Sequence, residues 1–320
     1  MILKKNKTFL NKYRENLKEG DFTIIGLVTE GGQGMATANN GKFVGIKEGT
    51  KEADRIRETR INKLQEANQD LGTNYKMPTT EAEIVALFDE IKLEHGRDIF
   101  GQGYLYRIVA LNNIAEVTTL TSDEKNKGIA IGKPTYVPYD KGDKDGNRWY
   151  LPTPYYIDWS IENVKFLKSN SGKKGEGMPV VRNPQFYFRE GFCYSDIKTF
   201  YLRCRKKGIS VHDVKSMSFF SLIDSLPEYY IITLINSKTI AEITAGFITN
   251  TPSFQINDCR ALPIPVPTKN QLASCKKLFE EAVILQQDFF VEKISTTERD
   301  QQLLIVQNKV DAFVSELYNL

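Results

Sequence analysis

Histidine is nearly absent from this chain: His95 and His212 are the only two in 320 residues. Cysteine is sparse as well. Cys193, Cys204, Cys259 and Cys275 are widely spaced and make no Cys-x-x-Cys pair. Zinc sites draw on clustered Cys and His ligands, so this pattern argues against one. Two histidines also leave little room for a Ser/His/Asp or Cys/His triad. A disulfide framework is not expected in a long chain with no sign of secretion; the cysteines should be reduced and mostly buried. Long apolar runs are missing too. The most apolar stretch, 229–235, falls far short of the roughly 20 residues a helix needs to cross a bilayer. Met1-Ile2-Leu3 is followed at once by Lys4 and Lys5 without a leader pattern, so a cytoplasmic location is expected.

The apolar content is ample. With 18 Phe, 15 Tyr and 41% hydrophobic residues, the chain can bury a sizeable core in one or two domains and is not disordered as a whole. The net charge of +3 hides an uneven distribution. Residues 161–215 hold twelve Lys and Arg against five Asp and Glu: Lys165, Lys168, Lys173, Lys174, Arg182, Arg189, Lys198, Arg203, Arg205, Lys206, Lys207 and Lys215. Phe166, Phe186, Tyr187, Phe188, Phe192, Tyr194, Phe200 and Tyr201 are interleaved with them. Basic residues with interleaved aromatics form the footprint of a polyanion-binding face, most often for nucleic acid. The bland alternative is a solvated charged loop beside a β-sheet core.

Along the chain, a short lead-in helix precedes an apolar run at 22–28 that reads as a buried strand. A glycine-rich turn over 30–41 follows, and 42–46 resumes a strand. Residues 51–70 are helical but very polar. Residues 80–93 form an amphipathic helix with a Thr80/Glu83 capping box and Ile84, Leu87, Phe88 and Ile91 on one face. Residues 51–100 therefore read as a helical insertion. Residues 104–200 read as short strands joined by turns, the clearest turn being 139–147. At 229–235 helix and strand are equally supported. The alternate prolines of Ala261-Leu262-Pro263-Ile264-Pro265-Val266-Pro267 remove donors, which points to an extended linker leaving the globular part. Residues 268–320 read as a helical hairpin with capping boxes at Thr268/Gln271 and Ser295/Glu298. One helix carries its seam on Leu272, Cys275, Phe279, Ala282 and Phe289, the other on Leu303, Val306, Val310, Phe313, Leu317 and Leu320.

Catalytic motifs find little support. The triplets Gly32-Gln33-Gly34, Gly101-Gln102-Gly103 and Gly175-Glu176-Gly177 lack the strand-before, helix-after setting of a nucleotide-binding turn. An amino-methyltransferase needs an Asn/Asp-Pro-Pro-aromatic string to grip a flipped base. The nearest strings, Asn183-Pro184-Gln185-Phe186 and Thr153-Pro154-Tyr155, fall short of it. Asp89-Glu90-Ile91-Lys92 matches the end of a nuclease pattern but reads as a helix surface.

The recognition-type segments are informative through their order. Gln33-Gly34-Met35-Ala36-Thr37-Ala38-Asn39-Asn40-Gly41-Lys42-Phe43 comes first, with Ala38 where a glycine is usual. It is followed by Arg189-Glu190-Gly191-Phe192-Cys193-Tyr194-Ser195, then by Leu234-Ile235-Asn236-Ser237-Lys238. Ser253-Phe254-Gln255-Ile256-Asn257-Asp258 with Leu262-Pro263-Ile264-Pro265, and finally Glu316-Leu317-Tyr318-Asn319-Leu320, complete the series. In this order the chain resembles the DNA target-recognition region of adenine-N6 methyltransferases. These are the TaqI-like C-terminal specificity domains of type IIG restriction–modification enzymes and BREX-type phage-defence enzymes. The resemblance spans most of the chain outside 51–100.

It implies an α+β fold: a mixed, largely antiparallel β-body over 1–267 with helical insertions, then a C-terminal helical hairpin over 268–320. It implies sequence-specific binding of double-stranded DNA for a methyltransferase core that is fused upstream or is a separate subunit. The chain itself would not be an enzyme, and S-adenosylmethionine would bind only to that core. No metal is expected. Lys173, Lys174, Arg203, Arg205, Lys206 and Lys207 would mainly hold phosphates. Gln33, Asn39, Asn40, Arg189, Ser195, His212, Ser253 and Gln255 would meet base edges or position the backbone, with Thr37, Lys42, Tyr194 and Lys215 completing the DNA-binding set. Acidic phage proteins that mimic DNA would be attracted to the same surface. Two other readings compete: an assembly module using the hairpin, and a divergent DNA methyltransferase or nuclease.

Overall fold

Residues 228–235 decide a question that propensity leaves open. Tyr230-Ile231-Ile232-Thr233 suits a strand, yet Glu228–Ile235 is a helix. Pro227 sits at its N-cap with extended backbone, and Glu228 occupies the first turn. Burial overrides local preference here, because all six residues from Tyr230 to Ile235 are buried. The computed structural model describes residues 7–96, 99–100, 105–143, 145–175, 177–196 and 200–320. The Met1–Lys5 start, the Gly101-Gln102-Gly103 triplet, Lys144, Glu176 and Lys198 lie outside them.

The chain is α+β and divides into two units. The first comprises Met1–Gly34, Asp140–Pro152 and Arg182–Leu320; the second comprises Met35–Tyr139 and Thr153–Val181. In the first unit a four-stranded antiparallel sheet runs in the order Thr29–Gly32, Ser216–Ser221, Gly191–Ser195, Cys204–Lys207. Side chains alternate across it. Phe192, Tyr194, Cys204, Met217 and Phe219 share one core with the Glu228–Ile235 helix and the two C-terminal helices, Lys269–Phe290 and Thr296–Leu317. The intervening residues Cys193, Ser195, Arg205, Lys207, Ser216 and Ser218 are also buried, which makes the opposite face polar inside.

Several sequence expectations are corrected in this unit. The run 22–28 is not one strand: Phe22–Ile24 is a strand and Ile25–Val28 a short helix. Residues 261–267 do not leave the globular part. Pro263–Pro265 pairs antiparallel with Phe22–Ile24, and Ile264 and Val266 are buried. A two-stranded ribbon tolerates the missing proline donors because each strand has an open edge. Residues 268–320 belong with 182–267 rather than apart, since Cys275, Phe279, Ala282, Val306, Val310 and Val314 continue the same core. Val314 takes the fully buried place expected for Phe313, and Leu320 is exposed. The Thr268 capping box forms in full, whereas Ser295 makes only its own half by accepting from the Glu298 N–H.

Asn236 ties this unit together. Its side chain accepts from the Cys204 N–H (3.0 Å) and donates to the Cys204 carbonyl (2.8 Å). Its own carbonyl accepts from Gln307 Nε2 (3.0 Å) on the last helix. Gln307 Oε1 in turn accepts from Arg148 (2.8 Å), and the Arg148 carbonyl accepts from Gln286 Nε2 (3.2 Å).

In the second unit Arg107–Val109 runs parallel to Val44–Lys47, which pairs antiparallel with Tyr155–Asp158, followed by Tyr136–Asp140. The helices Lys51–Leu71 and Glu81–His95 pack through Leu64, Ala67, Phe88, Ile91 and Phe100. The Thr80/Glu83 capping box is present. The stretch 104–200 also holds helices Ser122–Lys127 and Ile161–Ser169, the first with a Thr121/Glu124 capping box. Among the described residues no single helix is long and apolar enough to cross a membrane.

Replacing Asn236 with Ala leaves the buried Cys204 N–H without an acceptor. An orphaned buried group costs about 1–3 kcal/mol and the lost companion bonds add to it, so Asn236→Ala should lower unfolding stability by about 2–3 kcal/mol. Urea titration of both proteins measures the difference.

Candidate nucleic-acid interface

Strand alternation decides the fate of the basic segment 203–207. Arg205 and Lys207 point to the polar inner face and are each 1% exposed, so they are not placed to hold phosphates. Arg205 pairs with Asp140 (3.2 Å) and donates to the Lys141 carbonyl (2.9 Å). Burial alone would raise the Asp140 carboxyl, but Arg205, the Ser216 hydroxyl and Lys207 outweigh it and hold Asp140 below its usual range. The Lys207 ammonium donates to the carbonyls of Arg189, Gly208 and Ser210 at 2.8–3.2 Å, and burial brings its pKa down to about 8. Lys206, between them, is exposed.

His212 and Tyr194 are inside as well. His212 is fully buried, with Tyr187 edge-on at 5.4 Å. Tyr194 belongs to the core, its hydroxyl 3.1 Å from Met217 Sδ. Gly34 belongs to the same packing: a Cβ there would fall 1.8 Å from the His212 carbonyl oxygen, so this glycine answers a close approach of two backbones, while Gly32 makes room for the Asn183 side chain. The Gln33 carbonyl accepts from Asn183 Nδ2 (2.8 Å). All four cysteines are free and buried, and burial pushes Cys193 and Cys275 up to about 12.

Four of the expected residues meet around Asp196, a carboxylate the sequence reading did not single out. Lys215 pairs with it (2.6 Å), its carbonyl accepts from the Phe254 N–H (2.7 Å), and Gln255 Nε2 donates to Ser253 Oγ. That carbonyl contact fixes the 253–255 turn beside Ser195, whose hydroxyl accepts from the Asp143 N–H (3.3 Å). Arg203 is half-buried against Gly146. Arg189 lies at the opposite end of the Gly191–Ser195 strand, stacked 4.3 Å over Phe220 and paired with Glu30 (2.7 Å). Lys215, Arg189 and Arg205 therefore each already face a carboxylate.

The second unit gathers a different set. The Ala36 and Val180 backbones bond to each other in both directions (3.0 and 2.8 Å), which joins the 37–42 turn to the loop carrying Lys173 and Lys174. Thr37 donates to Asn40 Oδ1 (2.5 Å), and Asn39 Oδ1 accepts from the Lys42 N–H (3.2 Å), capping the short helix Asn40–Phe43. Ala38 has φ +57, the left-handed conformation that glycine adopts most readily. Lys42 lies 4.7 Å over the Phe166 ring of Ile161–Ser169, and Lys173 donates to Asn170 Oδ1 (3.0 Å) at the end of that helix. Cations at a helix C-terminus are favourably placed. Among the described residues, none of Lys42, Lys173 and Lys174 has a carboxylate partner. Compared with known protein families and with curated proteins, the chain matches none.

Two consequences are measurable. Left-handed backbone costs an L-residue about 1–2 kcal/mol, and glycine's larger unfolded-state entropy takes back part of that. Ala38→Gly should therefore raise stability by about 0.5–1 kcal/mol in urea titrations. Burial, reinforced by the nearby Lys207 ammonium, brings the His212 pKa from 6.5 to about 3. The unfolded chain then binds a proton that the folded chain refuses, so stability is lost as pH falls below 6.5. The loss reaches about 2 kcal/mol by pH 5. Urea midpoints at pH 7 and pH 5 should show it, and a His212→Asn variant should lack that share of the slope.

Proposed function

We propose that the chain is a DNA target-recognition module: the non-catalytic specificity part of an adenine-N6 methyltransferase from a restriction–modification or phage-defence system. The observation that carries this reading lies in the second unit. Lys42, Lys173 and Lys174, free of carboxylate partners among the described residues, flank a turn of Thr37, Asn39 and Asn40. Its left-handed Ala38 stands where the resembling family has glycine. Ammonium groups attract backbone phosphates, and the partly exposed amides of Asn39 and Asn40 beside them suit base edges or phosphate oxygens, while the buried Thr37 braces the turn through Asn40. Lys206, Lys215, Ser253 and Gln255 are the exposed or partly exposed members in the first unit, while Ser195, Arg205, Lys207, His212 and Tyr194, all buried, drop out as direct contacts. The module works in the cytoplasm, with S-adenosylmethionine held by the methyltransferase core and acidic DNA mimics as competitors for its surface.

A second reading has one observation of its own. Ile284, Leu304 and Ile305 of the C-terminal helices are more than half exposed, which suits docking of the methyltransferase core or another subunit.

Selection of the chain against randomised duplexes should enrich one motif; enrichment of none would overturn the proposal. Removing Lys173 and Lys174 together should weaken binding to selected and scrambled duplexes alike. The log–log salt slope should flatten by about 2, close to one unit per lost phosphate contact. Fluorescence anisotropy between 50 and 200 mM salt, about the range over which such contacts fade, measures both. Calorimetry with S-adenosylmethionine should give no heat of binding to this chain.

A further inference from the structure

The 37–42 turn spends its side-chain acceptors on itself and keeps its donors. Asn39 Oδ1 accepts from the Lys42 backbone N–H (3.2 Å). A backbone N–H can only donate, so the end of the Asn39 amide that faces it is the oxygen. Asn40 Oδ1 is taken by the hydroxyl of the buried Thr37 (2.5 Å). Among the described residues, neither Asn39 Nδ2 nor Asn40 Nδ2 has a partner, and both side chains belong to partly exposed residues. The exposed Lys42 ammonium, over the Phe166 ring at 4.7 Å, adds donors and no acceptor. A carboxamide is planar, with its oxygen and nitrogen on opposite sides of Cγ. An oxygen committed to the turn therefore directs the NH2 group away from it.

We propose that this turn reads guanine, with Asn39 Nδ2 donating to the O6 and N7 edge and Lys42 beside it; the proposal rests on the DNA reading above. In the major groove guanine offers two neighbouring acceptors, adenine an acceptor and a donor, cytosine a donor, and thymine one acceptor beside a methyl group. An asparagine that chelates adenine uses both ends of its amide, accepting from N6 and donating to N7. Asn39 has one end left. Turning its oxygen toward adenine or cytosine would strip the Lys42 N–H of its acceptor. Keeping the oxygen in place would leave the amino group of either base unpaired, which is costly at a dry contact. Guanine is the base that calls for donors alone at two adjacent atoms. The main-chain N–H groups of the short helix are not the donors, because those of Lys42 and Phe43 are already bonded to Asn39.

The test uses the full chain and the duplex motif it selects from a random pool. Each guanine of the motif is replaced in turn by 7-deazaguanine, which keeps the base pair and removes the N7 acceptor. One of these replacements should weaken binding by the unmodified chain about tenfold. Asn39→Ser and Asn39→Asp both keep an oxygen that can cap the helix, so the turn is retained. Asn39→Ser should bind the selected duplex about tenfold more weakly and scrambled duplex unchanged, and the same 7-deazaguanine should have no further effect on it. Asn39→Asp puts an acceptor where the donors were, and repeated selection should lose the guanine at that position alone. Three results overturn the proposal and leave the DNA reading standing: an A·T pair at the position that relaxes, relaxation at no position, or a 7-deazaguanine effect equal in the unmodified and Asn39→Ser chains. Enrichment of no motif removes the DNA reading and the guanine assignment together.

Discussion

The first unit depends on one buried amide. Asn236 completes the hydrogen bonds of Cys204 in a sheet strand while its own carbonyl receives Gln307 from the last helix. A sheet, a short core helix and the C-terminal hairpin are thereby fixed at a single residue. Asn236 and Cys204 are both 0% exposed, so no water can replace these bonds, and partial satisfaction would cost more than an apolar contact. The constraint spreads outward. Gln307 bonds to Asp311 (2.8 Å), Asp311 accepts from Tyr201 (3.0 Å) and from the Lys238 N–H (2.7 Å), and Arg148 stacks 4.6 Å over Tyr201. The hairpin is consequently part of the unit rather than an appendage, and two glutamines stand in a seam that a heptad pattern would fill with aliphatic residues.

The same alternation that builds the sheet sorts the basic residues. In Cys204-Arg205-Lys206-Lys207, consecutive cations necessarily face opposite sides. One of the three is left exposed, and the other two are enclosed with Asp140 and a set of carbonyls. Three fully used ammonium hydrogens on Lys207 explain how a charge is tolerated at that depth. A charge count over 161–215 cannot distinguish these roles, because it ignores the direction in which each side chain points. The count nonetheless located the segment whose cations build both the interior network and the surface.

Legibility in the sequence followed the range of the interaction. Local signals were read well: the caps at Thr80 and Thr268, the amphipathic face of Ile84, Phe88 and Ile91, the buried cysteines and the α+β class. The 228–235 helix was undecidable because its residues favour a strand and its burial is a property of the whole unit. The proline segment 261–267 was misread because its partner, Phe22–Ile24, lies some 240 residues away in sequence. The roles of Asp196 and Asp140 escape any local pattern for the same reason, since each gains its role from partners distant in the chain. Among the expected site residues, Thr37, Asn39, Asn40, Lys42, Lys173 and Lys174 come together. The remainder disperse along the sheet of the first unit or enter its interior.

What separates the two groups of cations is the company they keep. A lysine already facing a carboxylate gains little from a phosphate, because binding must first break or share the existing pair. Exposed pairs of this kind contribute modestly in either arrangement. Lys42 and Lys173 are held instead by a ring face and an amide oxygen, partners that orient an ammonium without neutralising it. Their field remains available to a polyanion, and counterions released from that polyanion would supply the driving force. The adjacent Thr37–Asn40 turn is internally hydrogen-bonded and therefore keeps its shape before any ligand arrives. Unneutralised charge beside a preorganised polar turn is what the second unit offers and the basic strand of the first, with two of its three cations enclosed, does not.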